Sequence, residues 1–80
     1  MYSTAICPYC IRAERLLLAR GVGSVEKLRV DLDPVLRQEM IRITGRCTVP
    51  QIFIGDRHVG GFDELAALDR EGQLPALLQT

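Results

Sequence analysis

The sequence predicts an α/β domain: a four-stranded mixed sheet flanked by three helices, in the order β-α-β-α-β-β-α. Three observations lead to it. Two stretches, 8–20 and 34–45, open on a proline and carry apolar residues at helical spacing. A strand-like stretch at 25–33 lies between them, so the first half reads as a parallel βαβ unit. In the second half, a Gly55-Asp56 turn signal between "PQIFI" and "RHVGG" marks a hairpin. Helices are expected on both faces of the sheet.

Each element has its own warrant. "MYST" has strand character but is very short. "PYCIRAERLLLAR" reads as a helix, with Pro8 in the first turn, where its missing N–H costs nothing. Ala13, Leu16 and Leu17 form its apolar face and Gly21 its C-terminal stop. In "VEKLRVDLD", Val25, Leu28 and Val30 mark a strand that runs into a turn at Asp33-Pro34. "PVLRQEMIRITG" is the second helix, with Leu36, Met40 and Ile43 on one face and Gly45 closing it. Pro50 begins the strand "PQIFI", and "RHVGG" returns from the turn. "FDELAALDREG" is the third helix, with Asp63 and Glu64 in its first turn and Gly72 after its last. "LPALLQT" is an apolar tail, one turn packed back on the core.

Eighty residues make a single domain, 1–80, with no linker, repeat or low-complexity stretch. That is close to the size at which one core only just suffices. Ten basic and ten acidic residues cancel and form no basic stripe, so neither nucleic acid nor an anionic membrane is an expected partner. The longest apolar run is far too short to span a bilayer. The opening residues carry no positive n-region or cleavage pattern. A cytoplasmic monomer is the expectation.

Cys7, Cys10 and Cys47 are too few for a disulfide framework. Cys7 and Cys10 instead sit where the first strand meets the first helix. Free N–H groups and the positive end of the helix dipole converge there and favour a thiolate. Cysteine at such a place has its pKa lowered from about 8.5 to roughly 3.5–7.5. Arg12 and Arg15 add positive potential on the same helix if they turn towards it. Cys10, one turn further on, is expected to be the more buried and less acidic of the two. This divides the labour: Cys7 attacks a disulfide and Cys10 resolves the mixed disulfide. Two blander readings compete. Half a zinc site would need two more ligands, and only Cys47 and His58 are on offer, without knuckle spacing. Inert core thiols are common, but a strand-to-helix junction is a poor place for them. A C-x-x-C opening the helix of a βαβ unit is the thioredoxin-like redox signal.

With "CPYC" at 7–10, "TVP" at 48–50, "QIFIG" at 51–55 and "GGFDEL" at 60–65, the chain resembles the glutaredoxin family over nearly its whole length, in particular its small bacterial dithiol members. The resemblance implies a thioredoxin-like fold and a glutathione-dependent thiol–disulfide oxidoreductase with Cys7 and Cys10 as catalytic residues. It implies glutathione as reductant and no metal, with glutathionylated or disulfide-bonded proteins as partners. It implies a cis Val49-Pro50 bond, which turns the Val49 backbone to pair with the cysteinyl part of glutathione like an added strand. The blander alternative is that Pro50 merely starts a strand. Gly60 and Gly61 would allow close approach. The N–H groups of Phe62 and Asp63 would hold the γ-glutamyl carboxylate, with the Asp63 side chain taking the ammonium; capping alone would also explain Asp63. Arg37 matches a contact to the glycine carboxylate, or else is a solvated helix face. Tyr9 and Thr48 would line the cleft.

The chain departs from the family in several places. Thr4 stands where a lysine is frequent, and Phe62 where a cysteine is frequent. Cys47 replaces a more usual threonine or arginine; it reads as a site of glutathionylation, as a dimer disulfide, or as a tolerated loop thiol. His58 reads as a packing or surface residue. Relatives usually have several more residues ahead of the one matching Tyr2. The expectation is therefore a start at an internal methionine or a trimmed chain, with an unusually short central strand. Three rival readings are a redoxin fed by thioredoxin reductase, a non-enzymatic iron–sulfur cluster carrier, and a redox-sensing binding module. Gly-Gly-Phe-Asp and Arg37 speak for glutathione over the first, and a stiff Pro8-Tyr9 pair speaks against the second.

Overall fold

A computed structural model describes residues 1–78. Its elements are β1 (Tyr2–Ser3), α1 (Pro8–Ala19), β2 (Leu28–Arg29), α2 (Pro34–Thr44), β3 (Ile52–Ile54), β4 (Arg57–Gly60), α3 (Phe62–Arg70) and α4 (Leu74–Leu78). The order follows the sequence reading, and the apolar tail forms α4 as a short helix. The last two residues of the expected tail, 79–80, lie outside the described residues.

β1 pairs in parallel with β2, Tyr2 opposite Leu28 and Ser3 opposite Arg29. β3 pairs antiparallel with β4, with a bulge beside Ile52. A bridge between Tyr2 and Gln51 joins the two ladders. There the Tyr2 N–H donates to the Gln51 carbonyl at 2.9 Å and the Gln51 N–H to the Tyr2 carbonyl at 3.3 Å. The strand order is therefore β2-β1-β3-β4, and the two-residue β1 is central.

Helices cover both faces. On one, Ala13 and Leu17 of α1, Leu65 of α3 and Leu74 of α4 pack on Ile52. On the other, Met40 of α2 packs with Tyr2 and Val30. The helix ends are written locally. Gly21, at φ +97°, follows the last turn of α1. Its N–H donates to the Leu18 carbonyl and that of Val22 to Leu17, a Schellman closure. The Asp33 side chain caps α2 by accepting the Val35 N–H at 2.9 Å.

Three expectations change. The strand expected over 25–33 is regular only at Leu28–Arg29, because a parallel strand extends only as far as its partner and β1 is two residues long. The strand expected from Pro50 begins beyond it, since proline brings no N–H to the ladder. Ile43, assigned to the buried face of α2, is 42% exposed; Met40 alone on that helix is fully buried.

Candidate active site

α1 begins by using Cys7 as its cap. Cys7 has extended backbone (φ −146°, ψ 96°), Pro8 occupies the first helical position, and the Cys10 N–H donates to Cys7 Sγ at 3.1 Å. The Cys7 sulfur thus already accepts one of the free N–H groups at the helix start, the arrangement that stabilises a thiolate once the pair is reduced. Cys7 and Cys10 are joined as a disulfide, with Cα atoms 5.2 Å apart. The expected contrast in burial is absent: Cys7 is 7% exposed and Cys10 5%. Bonding the two sulfurs gives them one shared environment, so what distinguishes them is position, at the cap and one turn in. A small cavity of ≈ 150 Å³ lies against the pair, walled by Ser3, Glu14 and Lys27 among others. Arg12 sets its guanidinium 5.3 Å from the centre of the Tyr9 ring, a cation–π contact.

Tyr9, between the two cysteines in sequence, leads into a second cavity of ≈ 210 Å³. This cleft collects Tyr9, Thr48, Val49, Pro50, Gly61, Phe62 and Asp63, every residue expected to bind glutathione except Arg37. The Tyr9 and Phe62 rings stand 6.2 Å apart. The Val49-Pro50 bond is cis. Neither the N–H nor the C=O of Val49 hydrogen-bonds to another of the described residues. Arg37 is exposed on α2 and does not line the cleft. Cys47 is an exposed free thiol, also outside the lining. Among the described residues, no group of three or more His, Cys, Asp or Glu is placed to hold a metal ion.

The structure adds Arg46, Gln51 and Glu64 to the cleft wall. Glu64, in the first turn of α3, folds back over the glycine pair. Arg46 Nη1 meets Glu64 Oε1 at 2.5 Å. That hydrogen bond, helped by the N–H groups of Glu64 itself and Gly61 and opposed by burial, holds the Glu64 carboxyl below its ordinary pKa. A Cβ on Gly60, which sits at φ +117°, would lie 2.7 Å from Glu64 Oε1. The N-cap of α3 is Gly61, and Asp63 is exposed, so capping does not account for Asp63. A glutamate three residues into a helix is a readable capping signal. Its pairing with Arg46, eighteen residues away, is not.

A vicinal dithiol at the cap of the first helix, one residue from a cleft built on a cis-proline loop, defines a thiol–disulfide redox protein of thioredoxin-like fold. Comparison with known proteins narrows the class. The family model for glutaredoxin matches residues 1–59. A glutaredoxin of Pseudomonas aeruginosa is 54% identical over 78 residues, covering 98% of this chain and 92% of that one. Glutaredoxin 3 of Escherichia coli is 49% identical over 79 residues, covering 99% and 94%. The crystal structure of a buckwheat glutaredoxin–glutathione complex superposes with a TM-score of 0.88 at 30% identity, over 98% of this chain and 73% of that one. The chain belongs to the glutaredoxin family, with Cys7 and Cys10 as its dithiol.

Proposed function

We propose that this chain is a glutathione-dependent disulfide reductase acting on protein–glutathione mixed disulfides and on protein disulfides. The observation that carries the reading is the Cys7 sulfur, held at the helix cap as acceptor of the Cys10 N–H. In the reduced enzyme that N–H and the helix dipole favour the Cys7 thiolate. The thiolate attacks the glutathionyl sulfur of a mixed disulfide. The Cys7–glutathione bond forms, the substrate S–S bond breaks, and the protein thiolate leaves and takes a proton from water. A second glutathione thiolate then attacks the glutathionyl sulfur held on Cys7. It releases glutathione disulfide and restores Cys7. With a protein disulfide, Cys10 resolves the Cys7–protein adduct and the internal disulfide forms, to be reduced by two glutathiones.

The cleft is the proposed glutathione site. Val49 offers the cysteinyl unit an N–H and a C=O that pair with no other described residue. The start of α3, at Phe62 and Asp63, suits the γ-glutamyl carboxylate, and the Asp63 carboxylate its ammonium. For the glycine carboxylate, Arg46 in the wall is better placed than Arg37 outside it. Tyr9 and Thr48 close the sides.

The deciding experiment is glutathione-coupled reduction of a small glutathionyl mixed disulfide. Wild type turns over and Cys7→Ser does not. Cys10→Ser retains deglutathionylation and loses reduction of protein disulfides. An active Cys7→Ser protein overturns the reading. Turnover with thioredoxin reductase in place of glutathione would assign the reductant differently.

A further inference from the structure

The Gln51 side chain is buried, its residue only 1% exposed, yet its amide is used at both ends. Its nitrogen donates to the Thr48 carbonyl at 2.9 Å and lies 3.3 Å from the Thr48 hydroxyl. Its oxygen is 2.8 Å from Nε2 of His58. The chemistry of the ends fixes the direction of every bond. A carbonyl only accepts, so the Gln51 nitrogen faces Thr48 and its oxygen faces His58. His58 must then carry a proton on Nε2. Both the neutral Nε2–H tautomer and the imidazolium meet that need; the Nδ1–H tautomer does not.

Each member is anchored. The backbone N–H and C=O of Gln51 both pair with Tyr2 in the central strand. The His58 ring stacks on Phe53 with centroids 5.0 Å apart and planes 30° apart, which keeps the imidazole from swinging away. The hairpin therefore reaches, through His58 and then Gln51, the one carbonyl that precedes Val49.

That carbonyl shares a peptide plane with the Val49 N–H. In a trans peptide the C=O and N–H point in opposite directions. Of the described peptide bonds only Val49-Pro50 is cis, so the Thr48-Val49 unit is trans. Holding the Thr48 oxygen on the Gln51 amide thus turns the Val49 N–H the other way, off the Gln51 side. We infer that His58 is a positioning residue for glutathione: by orienting Gln51 it fixes the peptide plane that presents the Val49 N–H. The inference rests on the glutathione reading above and gives a task to a histidine that the sulfur chemistry does not use.

The test compares His58→Phe, which keeps a ring on Phe53 but removes the donor, with His58→Gln, which restores an N–H. With one hydrogen bond lost, KM for the glutathionyl substrate rises roughly three- to tenfold in His58→Phe. kcat and the pH dependence of Cys7 alkylation stay at wild-type values, and His58→Gln recovers most of the KM. A merely structural role would lower the melting temperature of His58→Phe and leave KM alone. An unmoved KM in folded His58→Phe, or no recovery in His58→Gln, overturns the inference. Nitrogen NMR of the wild-type ring decides independently of any variant's folding: protonation at Nε2 supports the relay and an Nδ1–H tautomer overturns it. A wild type with no glutathione turnover removes the proposed function and this role together, whereas turnover with an unmoved KM removes this role alone.

Discussion

Cys7 performs two jobs with one atom. Its sulfur caps α1 and, in the proposed mechanism, is also the nucleophile, so the groups that order the helix start would also tune its thiolate. Gly60 is constrained in another way: its φ of +117° is one that L side chains rarely adopt, and a Cβ there would have to displace the Glu64 carboxylate. Gly60→Ala is expected to cost at least about 1 kcal/mol, through backbone strain and displacement of Glu64. Urea denaturation measures it. The same variant should also loosen the Arg46–Glu64 pair, which wild type keeps across the cleft wall.

At the level of elements, the segment before α1 is tied to the end of β2. Asp31 accepts two hydrogen bonds from Arg29, each 2.7 Å, and the Ala5 N–H at 3.2 Å. The Arg29 guanidinium, aided by that N–H and opposed by desolvation, pulls the Asp31 carboxyl from 3.8 down to about 2. A carboxyl more acidic in the folded chain stabilises it fully above the unfolded pKa of 3.8 and loses that contribution as pH falls towards 2. The stability gap between wild type and Asp31→Asn should be constant above about pH 5 and close near pH 2. A gap that does not narrow in acid would remove the role of the charge. β1 gives a second prediction. The Met1 ammonium donates to the Glu26 carbonyl at 2.8 Å, and burial pushes its pKa down against the pull of Glu26. A cavity of ≈ 710 Å³ lined by Met1, Val25, Leu28 and Ile54, among others, lies beside it. Placing about four or five residues of alternating apolar pattern ahead of Met1 should raise Tm. An amide then replaces the part-buried ammonium, and new pairs form between β2 and β3. An unchanged Tm would mean that two residues suffice for β1.

Across the whole molecule, the core is small and divided by the sheet. Ala13, Leu17, Ile52, Leu65 and Leu74 form one part, and Tyr2, Val30 and Met40 the other. Leu65 is fully buried where α3 meets α1 and the sheet. Leu65→Ala should cost about 2–5 kcal/mol. That is a large share of the stability available to a domain of this size, and calorimetry would show it as a much lower Tm. Because α3 also opens the cleft at Phe62 and Asp63, the loss should weaken the proposed glutathione binding before it unfolds the chain.

Local rules made much of this protein readable. Prolines at the starts of α1 and α2, glycines after the ends of α1, α2 and α3, and the Gly55-Asp56 turn place the three longer helices and the hairpin, because each acts within a few residues of itself. The C-x-x-C at the strand-to-helix junction pointed to the redox pair for the same reason: the helix start that Cys7 caps is made of its own neighbours. The sequence by itself therefore determined the element order, the redox pair and the motifs of the cleft. Strand lengths were not legible, since a parallel pair is no longer than its shorter member and pairing is non-local. Nor was the cleft wall. Arg46 finds Glu64 and His58 reaches Thr48 through Gln51 only when the hairpin folds back beside the central strand. Arg46 and Glu64 stand eighteen residues apart, and His58 and Gln51 seven apart on different arms of the hairpin, so only the tertiary structure decides which ends of which bonds meet.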